Sequence, residues 1–153
     1  SAFPDGAAMC VRTLEGDLNL FATPDIYLMV GVEGEVYPIR RKNFLRSYEP
    51  LDTPYALQTE YDPMVIDRIS GERVSLLPLT RCCRARAGSR VHAEELRRPT
   101  KVFTAWDEMR YMYGAAGDFI AVRVDDPTDV YIVRRDIFQR TYEKIDAASW
   151  RAQ

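Results

Sequence analysis

Two pairs of adjacent arginines, Arg40-Arg41 and Arg134-Arg135, each follow an apolar stretch and lie between two tyrosines, Tyr37 and Tyr48 or Tyr131 and Tyr142. A guanidinium presents planar, bidentate donors to a phosphate or carboxylate. Phe44 with Tyr48, and Phe138 with Tyr142, could stack a base or another planar group. Arg40, Arg41, Tyr48, Arg134, Arg135 and Tyr142 are therefore the candidate ligand-binding residues, for a small anion such as a nucleotide. The structural alternative is that one arginine of each pair bridges to Glu49 or Glu143 while the rings pack.

Other chemistries have thinner support. Cys82, Cys83 and His92 are the one thiol–imidazole set, with Arg81, Arg84 and Arg86 near enough in sequence to favour a thiolate. No motif surrounds them. Asp125, Asp126 and Asp129 could bind a hard cation, but they lack the alternating acids, glycine and distant glutamate of a calcium loop, so a solvated turn is expected. Asp25 and Asp118 each open an apolar stretch and are expected to accept from backbone N–H groups of the preceding turn. Residues 81–101 carry seven basic and two acidic groups in a chain of net charge −2. Arg81, Arg84, Arg86 and Arg90 lead this basic patch, which Arg97, Arg98 and Lys101 complete. It is a candidate nucleic-acid surface, set against a loop that pairs with acidic faces elsewhere. No phosphate-cradling glycine loop, serine elbow or zinc spacing occurs, and no metal or cofactor is expected.

The elements that position these residues come from a repeat. Val36–Asp52 and Val130–Asp146, 94 residues apart, are identical at 9 of 17 positions. Upstream, the strand-like segments that begin at Asp25 and Asp118 align with one residue of slack in the turn that follows. Each unit reads strand, turn, strand, then a short helical turn. Ile26–Val32 and Phe119–Val124 are the first strands, Val36–Ile39 and Val130–Val133 the return strands. The turns are 33–35 and 125–129. Pro38 predicts an edge position. Phe44/Tyr48 and Phe138/Tyr142 are four apart, which puts each pair on one helical face. Met9–Leu14 and Val102–Trp106 read as further strands, Met109–Tyr113 as strand or helix, and Met64–Ile69 with Arg73–Leu77 as a hairpin. Ala93–Arg98 reads as a helical turn ended by Pro99.

The repeated pattern, Pro24-Asp25-Ile26-Tyr27-Leu28, Gly31–Pro38 and Phe44–Glu49, matched by Gly117-Asp118-Phe119-Ile120, Val130-Tyr131 and Phe138–Glu143, resembles the small PGDYG-type domain of uncharacterised bacterial and phage proteins. The resemblance covers the two units and not the segment between them. It implies a bacterial or phage origin and supplies no catalytic residue. The first unit lacks the glycine before Asp25, and the second replaces the glycine-containing turn by Asp-Asp-Pro-Thr-Asp.

The composition fits an ordinary globular chain, with 46% hydrophobic and 29% charged residues over 153 positions. Three cysteines, two adjacent, do not suggest a disulfide framework, and the longest apolar run, Ile26–Val32, is too short to span a bilayer. A cytoplasmic location without a membrane partner is expected. The expected fold is α+β and β-rich, with two homologous hairpin-plus-short-helix units packed around a shared core with pseudo-two-fold symmetry. Repeat unit 1 spans 1–52, a connecting segment with a hairpin and the basic stretch spans 53–101, and repeat unit 2 spans 102–153. The leading functional expectation is a non-catalytic binding module for a protein or a small anionic ligand. The alternatives are an enzyme or sensor acting on such an anion and, third, a nucleic-acid-associated protein, although nucleic acid is not expected as a partner.

Overall fold

The structure, a computed structural model, describes residues 3–53, 58–60 and 62–145. It is β-rich, with two short α-helices. The first half runs β1 (Ala8–Thr13), β2 (Gly16–Phe21), β3 (Ile26–Val30), β4 (Val36–Arg40), α1 (Arg41–Ser47) and β5 (Tyr48–Pro50). There follow β6 (Met64–Asp67), β7 (Arg73–Ser75), β8 (Cys83–Ala85) and β9 (Val91–Glu95). The chain ends with β10 (Thr100–Thr104), β11 (Asp107–Gly114), β12 (Phe119–Arg123), β13 (Asp126–Val133) and α2 (Arg135–Thr141). All paired strands are antiparallel, in the orders β2-β1-β6-β7, β13-β12-β9, β10-β11, β3-β4 and β5-β8.

The alternating pattern of β1 and β2 turns Met9, Val11, Leu18 and Leu20 inward, and Val11 with Val65 of β6 is fully buried. The same order of hairpin then helix appears twice, β3-β4-α1 and β12-β13-α2, and the helices begin 94 residues apart. Both helices are a single amphipathic step long. Phe44 lies 5.6 Å from Tyr48, and Phe138 lies 4.7 Å from Tyr142, each pair stacked as the four-residue spacing requires. Pro38 sits on β4, whose one hydrogen-bonded neighbour is β3, so its missing N–H breaks no second ladder.

Several expectations need correction. Ala93–Arg98 is not a helical turn: Val91–Glu95 is β9, which pairs with β12 from Val91↔Arg123 to Glu95↔Phe119. An unpaired edge of β12 outweighs the local helical preference of Ala-Glu-Glu. The second hairpin turn is Val124-Asp125 alone, and Asp126–Asp129 already belong to β13. A bulge after Val122 shifts the register, so Val122 faces Val130 while Arg123 faces Asp126. Among the described residues the core is divided, and one part of it is shared: Leu18 of the first half packs with Met112 and Ile132 of the second. Buried apolar residues form three clusters, around Val11/Val36/Val65, around Leu18/Met112/Ile132, and around Ala121/Val133/Ile137. The connecting segment adds strands to both halves, β6 to β1, β8 to β5 and β9 to β12.

Candidate functional site

The two hairpin–helix units meet through polar groups. The inward face of α1 carries Asn43 and Ser47, both buried, where α2 carries the buried Ile137 at the position aligned with Asn43. The Asn43 amide donates to Asp126 at 3.1 Å and to Asp129 at 3.0 Å. Asp126 also accepts from Thr128 Oγ1 at 2.6 Å and pairs with Lys42 at 3.2 Å. Arg123, itself buried, donates to Ser47 Oγ and to Asp125 at 3.2 Å, and lies 3.7 Å from Asp129. The acids expected to form a solvated turn are therefore the acceptors of an internal network, and Asp126 and Asp129 are buried. Hydrogen bonds from Thr128 and Asn43 hold Asp126 well below the ordinary carboxylate range. Burial raises Asp129 in spite of Asn43 and Arg123. Among the described residues no group of three or more His, Cys, Asp or Glu is arranged to hold a metal.

The tyrosines are structural. The Tyr131 and Tyr142 hydroxyls are 3.0 Å apart, and Tyr37 is hydrogen-bonded to Tyr48. Burial, then the neighbouring phenols Tyr48 and Tyr142, pushes the Tyr37 hydroxyl far above its ordinary pKa. Tyr48 and Tyr142 thus point into the junction of the two units, and neither lines the cleft beside Arg40 and Arg41.

The two arginine pairs diverge. In the second unit, Arg134 pairs with Asp136 at 2.9 Å and Arg135 lies 3.8 Å from Glu95. Asp118 organises that corner, accepting from Ala115 N at 2.9 Å and from Arg135 N at 3.1 Å. Gly117 precedes it at φ +96, a conformation open to glycine. In the first unit the equivalent N–H, that of Arg41, reaches the Asp25 main-chain carbonyl instead, at 2.7 Å. Glu49 bridges neither Arg40 nor Arg41; its partners are Arg84 and Arg86 of the connecting segment. Part of the basic patch is thereby neutralised, as the pairing alternative expected.

Arg40 and Arg41 open instead on a cleft of about 900 Å³. One wall is the end of β4 and the start of α1, with Arg40, Arg41 and Lys42. The other is the β10–β11 turn, with Trp106 and Asp107, while the end of β2 contributes Asn19 and Phe21. Arg68, after β6, adds a fourth cation. The Arg40 guanidinium lies over the Trp106 ring, 5.5 Å from its centroid, and ties the two walls together. Arg41 and Arg68 have no ion-pair partner among the described residues. The Trp106 turn is rigidly held. Asp107 accepts from Asn19 N at 2.9 Å, Met109 N at 2.9 Å and Arg110 N at 3.1 Å. Burial alone would raise that carboxyl, but these donors outweigh it and hold it below its ordinary value.

Arg40 and Arg41, singled out in the sequence, line this cleft. Arg68 and Trp106 were not singled out, because they come from separate elements, and Lys42 was not because the repeat aligns it with Asp136. Asn43 was detectable: the repeat alignment sets an amide against Ile137, and a polar residue at a core position signals a buried network. Cys83 on β8 and His92 on β9 lie in different sheets, and burial, then Cys82, pushes the Cys83 thiol up, away from a reactive thiolate.

No family model, curated protein or solved structure matches the chain. No helix among the described residues is long and apolar enough to cross a membrane.

Proposed function

We propose that this chain is a non-catalytic binding module, built from two copies of one hairpin–helix unit with pseudo-two-fold symmetry, that holds a small anion in the cleft beside Arg40 and Arg41. The observation that carries this is the broken equivalence of the arginine pairs. Arg134 and Arg135 pair with Asp136 and Glu95, whereas Arg41 and Arg68 face a 900 Å³ cleft without a carboxylate partner among the described residues. Unpaired guanidinium groups at a concave surface are the usual recognition element for phosphate and carboxylate. A binding role is favoured over catalysis because the described lining offers no thiol or imidazole, and its buried carboxylate, Asp107, is held ionised by three backbone donors. The duplication is supported by the 94-residue repeat and by the PGDYG-like pattern in both copies.

Calorimetric titration with inorganic pyrophosphate tests the assignment. A charge-assisted hydrogen bond contributes about 1.5–3 kcal/mol, so Arg41→Ala should weaken binding by about tenfold or more. Arg135→Ala should leave it within about twofold. Equal losses in both variants would remove the cleft from consideration.

A further inference from the structure

We infer that the anion taken by this cleft carries an aromatic ring, which makes the ligand a nucleoside mono- or diphosphate. The inference rests on the anion-binding role just proposed and adds a second subsite to it. A volume of about 900 Å³ far exceeds the needs of a bare phosphate and lies at the upper end of small-molecule sites. The cleft's cations are not alone on its walls. Phe21, 59% exposed, and the half-buried Trp106 line the same space as Arg41 and Arg68. An aromatic side chain exposed at a concave surface costs hydrophobic free energy that a stacked base would recover. The Arg40 guanidinium already lies over the indole, and a planar base can extend such a layer.

The polar lining fits the same ligand. Asn19 borders the cleft and places a side-chain amide in its wall. Asp25 and Glu108 on the rim can accept from sugar hydroxyls. They also repel a long polyanion, since four cations face three carboxylates around the whole lining. A single nucleotide suits this balance better than a nucleic-acid strand does.

The chain has 2 tryptophans, Trp106 and Trp150, so Trp150→Phe leaves Trp106 as the sole indole fluorophore. In that background, inorganic pyrophosphate, ADP, adenosine and a short single-stranded oligonucleotide would be titrated by fluorescence and calorimetry. ADP should bind at least about tenfold tighter than pyrophosphate, as one stacked base provides, and should quench Trp106. Trp106→Ala should abolish the preference for ADP over pyrophosphate, so that the two bind equally, and any loss through the Arg40 contact should fall on both ligands alike. Trp106→Phe, which keeps a ring and guards against a folding defect, should retain most of the ADP preference. Equal affinities for ADP and pyrophosphate would overturn the ring subsite and leave the anion site standing. An oligonucleotide that outcompetes ADP would make the cleft a nucleic-acid interface and overturn the inference. Binding by none of the probes would sink the anion site and the ring subsite together.

Discussion

Arg46 of α1 reaches across to Asp125, in the turn of the second hairpin, at 2.5 Å. Its counterpart 94 residues on, Arg140 of α2, reaches back to Glu33 in the turn of the first hairpin at 2.6 Å. Each unit's helix is thus clamped to the other unit's turn, the reciprocal pattern of a self-complementary interface. Both pairs are half-exposed, so each contributes no more than about 1 kcal/mol. Arg46→Ala should therefore destabilise the chain by up to about 1 kcal/mol, Asp125→Ala should cost more because it also takes an acceptor from the buried Arg123, and the losses should be less than additive in the double variant. Urea denaturation of the wild type, both singles and the double gives the coupling energy directly. A coupling energy of zero would show that the clamp contributes geometry alone.

Asn43 carries more weight than either surface pair. Its amide is the donor that the buried Asp126 and Asp129 share between the units. Asn43→Ile would copy the residue that the second unit has at the aligned position, Ile137. The substitution looks benign by that alignment, yet it leaves two buried carboxylates short of a donor. We expect a loss of about 3–5 kcal/mol in chemical denaturation. Ile137→Asn, the converse change, should also destabilise, because it places an amide in the apolar cluster with Ala121 and Val133.

Stability should fall across mild acid to neutral pH on account of Glu15, in the turn between β1 and β2. Burial pushes its carboxyl up to about 7, and the nearby Glu35 and Asp118 charges add to this. The folded chain therefore holds this proton more tightly than the unfolded chain does. Its contribution is complete below the unfolded value of about 4.3 and is lost as pH rises from there to about 7. Water reaches part of the side chain, so the loss is on the order of 2 kcal/mol. Glu15→Gln should abolish that slope and be more stable than the wild type at pH 8. Melting curves at pH 5 and pH 8 for the two proteins decide this, and parallel pH dependences would count against it.

What the sequence disclosed was local or periodic. The four-residue spacing of Phe44 and Tyr48 requires one helical face, and the apolar runs either side of Gly34, which sits at φ +82, require a hairpin. Register and partner choice are different in kind. Whether β9 is a strand depends on the free edge of β12, more than twenty residues downstream, and no local preference reports on it. The fate of Asp126 and Asp129 was hidden for the same reason. An aspartate in a turn-like string looks solvated until α1, 83 residues away, brings Asn43 to it. The cleft was half visible: the repeat drew attention to Arg40 and Arg41, but it implied equivalence with Arg134 and Arg135. Their difference is set by the carboxylates that happen to reach the second pair.

Phe138 offers a test of how unequally the two units are packed. Its ring is stacked on Phe119 at 3.9 Å and on Tyr142 at 4.7 Å. The equivalent Phe44 meets Tyr27 edge-on at 4.9 Å and Tyr48 at 5.6 Å, a looser arrangement. Truncation removes both the transfer free energy and the ring contacts, and the better-packed site relaxes less. Phe138→Ala should cost about 3 kcal/mol and lower the melting midpoint by roughly 5–10 °C. Phe44→Ala should cost about 1 kcal/mol less. If Phe44→Ala proves the more damaging of the two, then Phe44 is doing more than stacking, and the short helix α1, which also carries Asn43 and Arg46, is the element on which the junction of the units depends.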